Sequence, residues 1–386
     1  MTVKIGIVGN YGNNNKGDEA ILEGIIQQLD EALNITRDDI VVFSNTPDYM
    51  REEFGVEAKR LYYKKGGKVQ TFLHTMKQNK PVIASLDLLI IGGGGIFMDL
   101  YGTESFLFGL YGEMAKQTKT KAVLYGVGAG PIKTKLGAFI LKRLANQMAL
   151  VTVRDDQSKA LMREIGVKKD IHVIGDPAFK IGYQEEEVQR HERVCSIAIT
   201  AVPYYHGSYW PEEDLTRYNH YIDGMVRNIE LLLAKYPDIS IDFYSTKQPQ
   251  DTDVTEDIYS RLKNQLNVTV YRDSFDAKDL VSFAEKHDVV IGTRLHSLIL
   301  ALVARRPIVA IGYHHKVTDF MKMLGLANQV IDIEDLHLED NYFERTIDKL
   351  NQDWVAEEEK FNQLSDEMKD KAMKGMTLIK EKVLTT

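Results

Sequence analysis

Cysteine is almost absent from this sequence. The single cysteine, Cys195, among 386 residues cannot form an internal disulfide, so nothing in the chain requires an oxidising compartment. It lies in the apolar run Val194–Ile199, which predicts a buried strand and therefore favours an inert, packed thiol over a nucleophile. There is no cysteine cluster and no H-E-x-x-H pattern, so we expect no bound metal.

Long apolar runs are also missing. No segment approaches the roughly 18 to 20 apolar residues that a membrane-spanning helix needs. The N-terminal residues 1–8 lead directly into an apolar strand, without a charged leader or a cleavage site. We therefore expect no signal peptide, a cytoplasmic location and at most peripheral contact with a membrane.

Positive charge is in deficit. The chain has 48 Lys and Arg against 56 Asp and Glu, which gives a formal net charge of −8. This excess of negative charge argues against non-specific nucleic-acid binding and does not favour docking to an anionic bilayer. A small anionic substrate would need a local positive pocket.

Several well-known catalytic patterns are absent. The sequence contains no G-x-x-x-x-G-K-[ST] phosphate loop, no G-x-S-x-G nucleophile elbow and no G-x-G-x-x-G dinucleotide fingerprint after its first strand. The chemistry must therefore be sought in other residues.

Short apolar runs alternate with amphipathic stretches along the chain. The first series of predicted strands is Val3–Val8, Ile40–Phe43, Leu86–Ile91, Lys121–Tyr125, Leu150–Val153 and Ile171–Val173. The second series is Cys195–Thr200, Ile239–Tyr244, Val268–Tyr271, Val289–Ile291, Ile308–Ile311 and Val330–Ile333. This alternation is typical of α/β domains with buried parallel strands.

The division into domains follows from the polar run 183–193, which we interpret as a linker. Residues 1–182 then form an N-terminal domain and residues 194–386 a C-terminal domain that ends in one or two long helices over 341–383. The predicted fold class is α/β, with two Rossmann-like domains facing across a cleft. In such sheets ligands bind beyond the carboxyl ends of the strands, so the residues after each strand are the candidates.

A loop rich in glycine and asparagine follows the first strand. It contains Asn14 and Asn15, and a helix opens near Asp18 and Glu19. Backbone N–H groups and side-chain amides at a helix N-terminus suit a polar ligand. An acidic N-cap explains Asp18 and Glu19 without a ligand, but it leaves the three consecutive asparagines unexplained, so we favour a binding loop.

Glycines and an arginine follow later strands of the first half. Four glycines, including Gly93, Gly94 and Gly95, come after the strand that ends at Ile91. Glycines at such a position usually allow the backbone to approach a ligand closely. The alternative is a tight strand-to-helix turn, for which one or two glycines would be enough. Arg154 follows the strand Leu150–Val153, where an arginine beside two aspartates is more often a surface ion pair.

The strongest signal lies in the second half. Arg294 and His296 follow one strand, and Lys316 follows the next, with one short helix between them. Consecutive strands of a βαβ unit are parallel and usually adjacent, so these three side chains are expected to converge. Arginine and lysine would hold a carboxylate or phosphate, and histidine can transfer a proton. A capping role for His296 and a solvated Lys316 are the alternatives for each residue alone.

The ordered set of motifs resembles the polysaccharide pyruvyl transferase family. The matching segments span most of the chain from residue 5 to about 325 and are Gly12–Leu22, Gly92–Asp99, Gly126–Pro131, Val153–Asp155, Gly175–Ala178, Arg294–His296 and Lys316–Val317. The resemblance implies a glycosyltransferase-B-like fold and transfer of pyruvyl from phosphoenolpyruvate to a saccharide, with release of phosphate and formation of a ketal. No further cofactor is implied.

Residue roles come from the same resemblance. Arg154, His296 and Lys316 would be catalytic, with Arg294 beside them, and the loop from Asn15 to Glu19 would lie on the acceptor side. Family members often carry arginine after the strand that corresponds here to Cys195–Thr200, and this chain does not. Two alternatives stay open: a nucleotide-sugar glycosyltransferase of the same fold, and a binding protein without turnover. The acceptor sugar, its attachment to lipid and the oligomeric state are left open.

Overall fold

The computed structural model describes residues 3–100, 102–183, 191–210 and 212–385. Contacts between Cα atoms divide the chain into two compact units. The first comprises Met1–Gly182 and Met368–Thr386, and the second comprises Tyr183–Glu367. Each unit contains one parallel β-sheet whose strands are connected by helices.

The first unit is built on a seven-stranded sheet. Its strands are β1 (Ile5–Val8), β2 (Ile40–Ser44), β3 (Glu57–Arg60), β4 (Leu88–Phe97), β5 (Lys121–Ala129), β6 (Leu150–Val153) and β7 (Ile171–Val173). Its helices are α1 (Lys16–Leu33), α2 (Pro47–Phe54), α3 (Lys68–Ala84), α4 (Glu104–Thr118), α5 (Lys135–Gln147) and α6 (Asp156–Glu164). The strand order is β3-β2-β1-β4-β5-β6-β7.

This order fixes where a ligand is expected in the first unit. Strand β1 pairs in parallel with β2 on one side and with β4 on the other, with Ile5 opposite Ile40 and Leu88. The direction of winding reverses between β1 and β4, and the loops that leave these two strands diverge there. Such a reversal opens a crevice at the carboxyl ends of the strands, which is the usual ligand position in this architecture.

The second unit is built on a six-stranded sheet. Its strands are β8 (Ser196–Ile199), β9 (Ser240–Phe243), β10 (Val268–Val270), β11 (Val289–Gly292), β12 (Ile308–Gly312) and β13 (Val330–Asp332). Its helices are α7 (Leu215–Lys235), α8 (Gln250–Arg261), α9 (Ala277–Glu285), α10 (Leu295–Val303), α11 (His315–Met323) and α12 (Tyr342–Gln352), and α13 (Trp354–Ile379) begins in this unit. The order β10-β9-β8-β11-β12-β13 places the reversal between β8 and β11.

The predicted α/β class with two parallel sheets is confirmed, and the differences concern single elements. Strand β3 was missed because its sequence Glu-Ala-Lys-Arg is charged, and only Ala58 in it is buried. Strands β4 and β5 run beyond their predicted ends, through the glycines, because both continue to pair as far as Phe97 and Ala129. The glycine run is therefore part of a strand, with a register shift, and is not a strand-to-helix turn.

The C-terminal boundary differs from the prediction. Residues 368–386 were assigned to the C-terminal domain, but their contacts lie with the first unit. Two glycines explain the close packing: a Cβ on Gly175 would lie 2.7 Å from the backbone nitrogen of Ala372, and a Cβ on Gly375 would lie 2.7 Å from the Tyr125 hydroxyl. Of the predicted linker 183–193, residues 184–190 lie outside the described residues.

The environment of Cys195 also differs from the prediction. Strand β8 begins one residue later, at Ser196, and Cys195 is only partly buried. Burial and the nearby Asp288 carboxylate raise the pKa of the thiol, which keeps it protonated and unreactive. The thiol is thus a poor nucleophile, although it is not a core residue.

In the part of the chain that the structure describes, no helix combines the length and the apolar character that crossing a membrane requires.

Candidate functional site

Asp18 lies at the centre of the polar cluster in the first unit. Asn15 caps helix α1 by accepting a hydrogen bond from the backbone N–H of Gly17, which places Asp18 in the first turn. The side-chain amides of Asn10 and Asn15 both donate to Oδ2 of Asp18, at 3.1 and 2.9 Å. These amides are therefore engaged within the loop, and the exposed Asn14 adopts a left-handed turn conformation with φ 53°.

The carboxyl of Asp18 is buried, with 7% of its surface exposed. Burial raises its pKa from the ordinary value of 3.8 to about 6, against the opposing effects of the two amide donors and of the Arg154 charge. A carboxyl with such a pKa exchanges its proton close to neutral pH. It is suited to take a proton from a hydroxyl group at this end of the sheet.

Arg154 forms a buried ion pair, not the surface pair that its neighbours in the sequence suggest. Its Nη1 lies 2.8 Å from Oδ2 of Asp176, and its Nε lies 3.6 Å from Asp155. Both Arg154 and Asp176 are buried. The guanidinium packs over Gly128, where a Cβ would lie 3.0 Å away, so glycine is needed there for the arginine to fit.

Glu19 is held in place beside Asp18 on helix α1. Its Oε2 accepts from Lys16 Nζ and from the Tyr49 hydroxyl, each at 2.9 Å. Burial and then the Glu19 charge raise the pKa of Tyr49 to about 12, so the phenol stays protonated and donates. The second oxygen, Oε1, is buried and meets no hydrogen-bond donor among the described residues. A buried carboxylate oxygen of this kind is an available acceptor for a ligand hydroxyl.

The glycines of β4 bring strand and helix together. Gly93 and Gly94 have φ values of 74° and 73°, which only glycine adopts readily. A Cβ on Gly94 would lie 2.9 Å from Oδ1 of Asp18, and one on Gly93 would lie 2.1 Å from a methyl group of Ile21. The close approach is therefore to helix α1 of the same unit, while Gly95 is partly exposed.

Strands β11 and β12 of the second unit are parallel neighbours, as the spacing of Arg294, His296 and Lys316 predicted. His296 lies in the first turn of α10, which follows β11, and Lys316 lies in the first turn of α11, which follows β12. The two first turns therefore lie at the same carboxyl edge of one sheet. Helix N-termini carry partial positive charge, which adds to that of the side chains.

The start of α10 is anchored to the neighbouring strand β8. Thr293 donates its hydroxyl to the backbone oxygen of Thr200, at 3.2 Å, and its N–H to the Thr200 hydroxyl, at 3.1 Å. The Ser297 hydroxyl lies 3.1 Å from the same hydroxyl. These hydrogen bonds join the ends of β8 and β11, between which the strand order reverses, and they fix the start of the helix that carries Arg294 and His296.

Arg294 forms an ion pair with a buried carboxylate of the second unit. Its Nη2 lies 2.5 Å from Oδ1 of Asp251, a fully buried carboxylate, and its Nη1 donates to the Tyr209 hydroxyl at 3.0 Å. Burial acts to lower the pKa of Arg294, but the Asp251 charge outweighs it and the net shift is upward. Much of the arginine charge is thus neutralised within the protein, which the sequence did not indicate.

Lys247 is a cation that the sequence reading missed. Its Nζ lies 4.7 Å from the centre of the Tyr209 ring, and the Arg294 guanidinium carbon lies 4.8 Å from the same ring. Lys247 follows strand β9, next to β8, so the rule that selected residues after strands would have included it. The nearby aromatic rings pack against each other, for example Tyr205 on Trp210 at 4.8 Å.

His314 has a structural role at the start of α11. Its Nδ1 accepts a hydrogen bond from the backbone N–H of Lys316, at 3.3 Å, and so caps the helix. Burial, followed by the charges of His315 and Lys316, lowers the pKa of His314 to about 4. A neutral imidazole that is already accepting a hydrogen bond cannot act as the acid at neutral pH, so His296 remains the candidate.

One group of side chains has metal-ligating chemistry. His191, Cys195 and Asp288 each place a ligand atom within 4.8 Å of the others. Asp288 is already occupied, because its Oδ2 accepts from the N–H of Cys195, from the N–H of Ser196 and from the Ser196 hydroxyl. This arrangement fastens the start of β8, at the end of the sheet opposite to the candidate site, and the expectation of no metal stays a prediction.

The four candidate donor-site residues belong to two different units. Arg154 is part of the first unit, together with Asp18, whereas Arg294, His296 and Lys316 are part of the second. The grouping of Arg154 with His296 and Lys316 in one catalytic set stays a prediction.

Comparison with known protein families gives a clear result. The sequence model of the family described as polysaccharide pyruvyl transferase matches residues 15–315. The chain belongs to this family. The match begins three residues before Asp18 and ends beside Lys316, so it includes β4 and the strand reversal between β8 and β11, whereas β1 precedes it. This polysaccharide pyruvyl transferase is therefore an enzyme of polysaccharide biosynthesis.

A curated relative agrees with this assignment. The amylovoran biosynthesis protein AmsJ of Erwinia amylovora is 25% identical over 376 residues, which cover 86% of this chain and 89% of the relative.

Solved structures share the fold with this polysaccharide pyruvyl transferase. A UDP-GlcNAc 2-epimerase from Neisseria meningitidis, solved with UDP-GlcNAc, has a TM-score of 0.65 at 15% identity, and both chains are covered completely. The Anabaena protein Alr3699/HepE, solved with UDP and glucose, has a TM-score of 0.63 at 11% identity, again with complete coverage of both chains. Similarity at this level of identity establishes the fold alone.

Proposed function

We propose that this enzyme transfers the pyruvyl group of phosphoenolpyruvate to two hydroxyls of a saccharide, forming a cyclic ketal and releasing phosphate. The observation that carries the proposal is the pair of helix first turns at one sheet edge in a family member, with His296 on α10 and Lys316 on α11. A trianionic donor needs such a concentration of positive charge in a chain whose net charge is −8.

The reaction can be written in balanced steps. A proton adds to C3 of phosphoenolpyruvate, and one sugar hydroxyl attacks C2 and loses its proton. The second hydroxyl then attacks the same carbon and loses its proton, while the bond from that carbon to the phosphate oxygen breaks. Phosphate leaves with this second proton, which completes the ketal. We assign the proton transfer at the donor to His296 and the binding of phosphate or carboxylate to Lys316.

Arg294 has a supporting role in this proposal. Because Asp251 neutralises most of its charge, Arg294 contributes the remaining donor capacity of its guanidinium and holds Tyr209 in position. Lys247, which lies over the same tyrosine ring, supplies a further positive charge for the donor.

The acceptor is assigned to the first unit. Asp18, with a pKa of about 6, is suited to accept the proton of a sugar hydroxyl, and Glu19 offers its buried Oε1 to another hydroxyl. Arg154 keeps its proposed catalytic role through its charge, which acts on Asp18. Because Arg154→Lys keeps the charge that this role requires, we expect the variant to fold and to retain most of the turnover.

Donor binding can be tested without knowing the acceptor. Addition of phosphoenolpyruvate at 100 times its dissociation constant should stabilise the enzyme by about 2.7 kcal/mol, which a thermal-shift assay detects. Lys316→Ala should weaken binding about tenfold or more, because it removes a charge-assisted contact. Stabilisation by a UDP-sugar and none by phosphoenolpyruvate would favour the nucleotide-sugar alternative, which the ligands of the structural neighbours suggest.

Turnover separates the enzyme from a binding protein and tests the histidine. With a mixture of candidate saccharide acceptors, His296→Asn should lower phosphate release by about 10²-fold or more while leaving donor affinity nearly unchanged. His314→Asn is the matched control, since asparagine can still cap α11 and the residue is neutral in the native enzyme. If both His296→Asn and Lys316→Ala release phosphate at the native rate, the proposed roles of these residues are wrong.

A further inference from the structure

Exposed apolar side chains of the first unit are concentrated on three helices. All five of the large apolar residues that are exposed in the described part of this unit lie on α3, α4 and α5: Val69, Leu73, Phe106, Leu136 and Phe139. Leu73 is 63% exposed and Phe139 is 62% exposed. Isolated exposed apolar residues are ordinary, but a cluster confined to one surface indicates an interaction site.

The three helices form one continuous surface. Helix α4 packs between α3 and α5. The rings of Phe72 on α3 and Phe106 on α4 stack at 6.2 Å, and they line one groove together with Ile140 of α5. A second groove beside it is lined by Leu73 and Pro81, among others. We call the surface formed by α3, α4 and α5 the α3–α5 surface.

The sequence around the α3–α5 surface is strongly basic. Between Glu57 and Asp87 there are seven Lys and Arg and no acidic residue, and between Glu113 and Asp155 there are eight and none. The rest of the chain is correspondingly more acidic, because the total charge is −8. Positive charge is therefore concentrated in the segments that carry four of the five exposed apolar residues, and the fifth, Phe106, lies on α4 between them.

The lysines lie close to the apolar residues. Lys65 and Lys68 are exposed at the start of α3, next to Val69, and Lys133 and Lys135 are exposed at the start of α5, next to Leu136. Lys77 and Lys80 line the groove that contains Leu73. Helix α4 also carries two carboxylates, Glu104 and Glu113, of which Glu113 is paired with Arg143 at 2.8 Å.

We propose that the α3–α5 surface docks the enzyme onto an anionic lipid bilayer. Apolar and aromatic side chains would insert at the depth of the headgroups, while the lysines contact the negative headgroups. A second copy of the chain is a poorer occupant, because it would bring the same lysines together, and lysine is depleted in protein interfaces. The inference does not depend on the donor chemistry, since a membrane-bound acceptor and a soluble one are both compatible with it.

Vesicle binding by the full-length protein tests the proposal. We expect co-sedimentation with vesicles of phosphatidylcholine and phosphatidylglycerol at low salt, much weaker binding at high salt, and little binding to pure phosphatidylcholine. The triple variant Lys65→Gln, Lys68→Gln and Lys135→Gln should bind at least tenfold more weakly, because each basic residue near an anionic surface contributes a factor of roughly five. An unchanged affinity of this variant would contradict the electrostatic part.

The apolar part has its own matched control. Phe139→Ser should lower the vesicle affinity about tenfold, whereas Leu266→Ser, at a still more exposed apolar position of the second unit, should not. Thermal unfolding of both variants would verify that they fold. Equal loss in the two variants, no binding to anionic vesicles, or dimerisation through Phe139 in light scattering without lipid binding would each overturn the proposal.

Binding to vesicles and turnover are separate measurements. Phosphate release with a water-soluble acceptor should be unchanged in the lysine and Phe139 variants, because these residues lie outside the candidate site. If the pyruvyl-transfer proposal is wrong, no phosphate release will be observed, but the protein can still bind to vesicles. The two proposals can therefore fail independently.

Discussion

The substitution Asp18→Asn should remove a pH-dependent loss of stability. Asp18 is buried, and its pKa is raised from 3.8 to about 6 in the folded protein. Asparagine has the same shape: its oxygen can accept from Asn10 and Asn15, and its NH₂ can replace Oδ1 next to Gly94. The variant therefore changes the titration of this site and little of its packing.

The sign and the size of the effect follow from the pKa. A carboxyl that binds its proton more tightly in the folded state stabilises the fold fully below pH 3.8, and this contribution is lost as the pH rises through about 6. The difference between these values corresponds to about 3 kcal/mol, because one pKa unit is worth about 1.4 kcal/mol. The stability of Asp18→Asn relative to the native chain should thus increase by about 2.5 kcal/mol between pH 4 and pH 7.5, slightly less than the full difference because the unfolded carboxyl is already partly ionised at pH 4.

Urea unfolding at a series of pH values measures this difference. The change of the unfolding free energy with pH is more informative than its value at one pH, because any pH-independent cost of the substitution cancels in that change. Asp156→Asn, at an exposed position of α6, is the matched control and should give no comparable change. If the free energies of unfolding of Asp18→Asn and of the native chain change in parallel between pH 4 and pH 7.5, the reasoning about this carboxyl is wrong.

Two further predictions concern the packing of the candidate site. Asp251→Ala should lower the free energy of unfolding by about 3–5 kcal/mol, because it leaves the Arg294 guanidinium buried without its counter-ion. The double variant Asp251→Leu with Arg294→Met should recover much of that loss in denaturant unfolding, and an additive loss would contradict this account. Gly94→Ala should cost about 1–3 kcal/mol, because φ is 73° and the new Cβ meets Asp18. Gly67→Ala, where a Cβ meets nothing within 4 Å, should remain within about 0.5 kcal/mol of the native chain.

Many of the contacts at the candidate site could not be read from the sequence. The position of Arg294 after a strand was correctly recognised, but its partner Asp251 lies 43 residues earlier, at the start of α8. Arg154 was adjacent to two aspartates in the sequence, yet it pairs with Asp176 from another strand end. Ion pairs of this kind depend on which distant strands and loops are neighbours. The βαβ pattern predicts the pairing of consecutive strands, but it carries no information on those more distant neighbours.

The two strand reversals illustrate the same limit. The loop of Asp18 and the glycines of β4 were each selected because they follow a strand, and the sheet order then places β1 beside β4. The order also places β8 beside β11, which explains why Thr200 anchors the helix that carries His296. The sequence was sufficient to select the candidate residues after each strand. Which other residues surround them depends on the pairing of distant strands.

Local chemistry in the sequence was sufficient to determine the α/β class, most of the strands and the residues that follow them, because apolar periodicity and glycine preference act over a few residues. Only the tertiary structure decided that Arg294 is neutralised, that Asp18 titrates near pH 6, that residues 368–386 pack with the first unit, and that Lys68 and Phe139 share one surface. Burial and charge pairing arise when segments far apart in the chain are brought together, and the free energies of these groups depend on that environment.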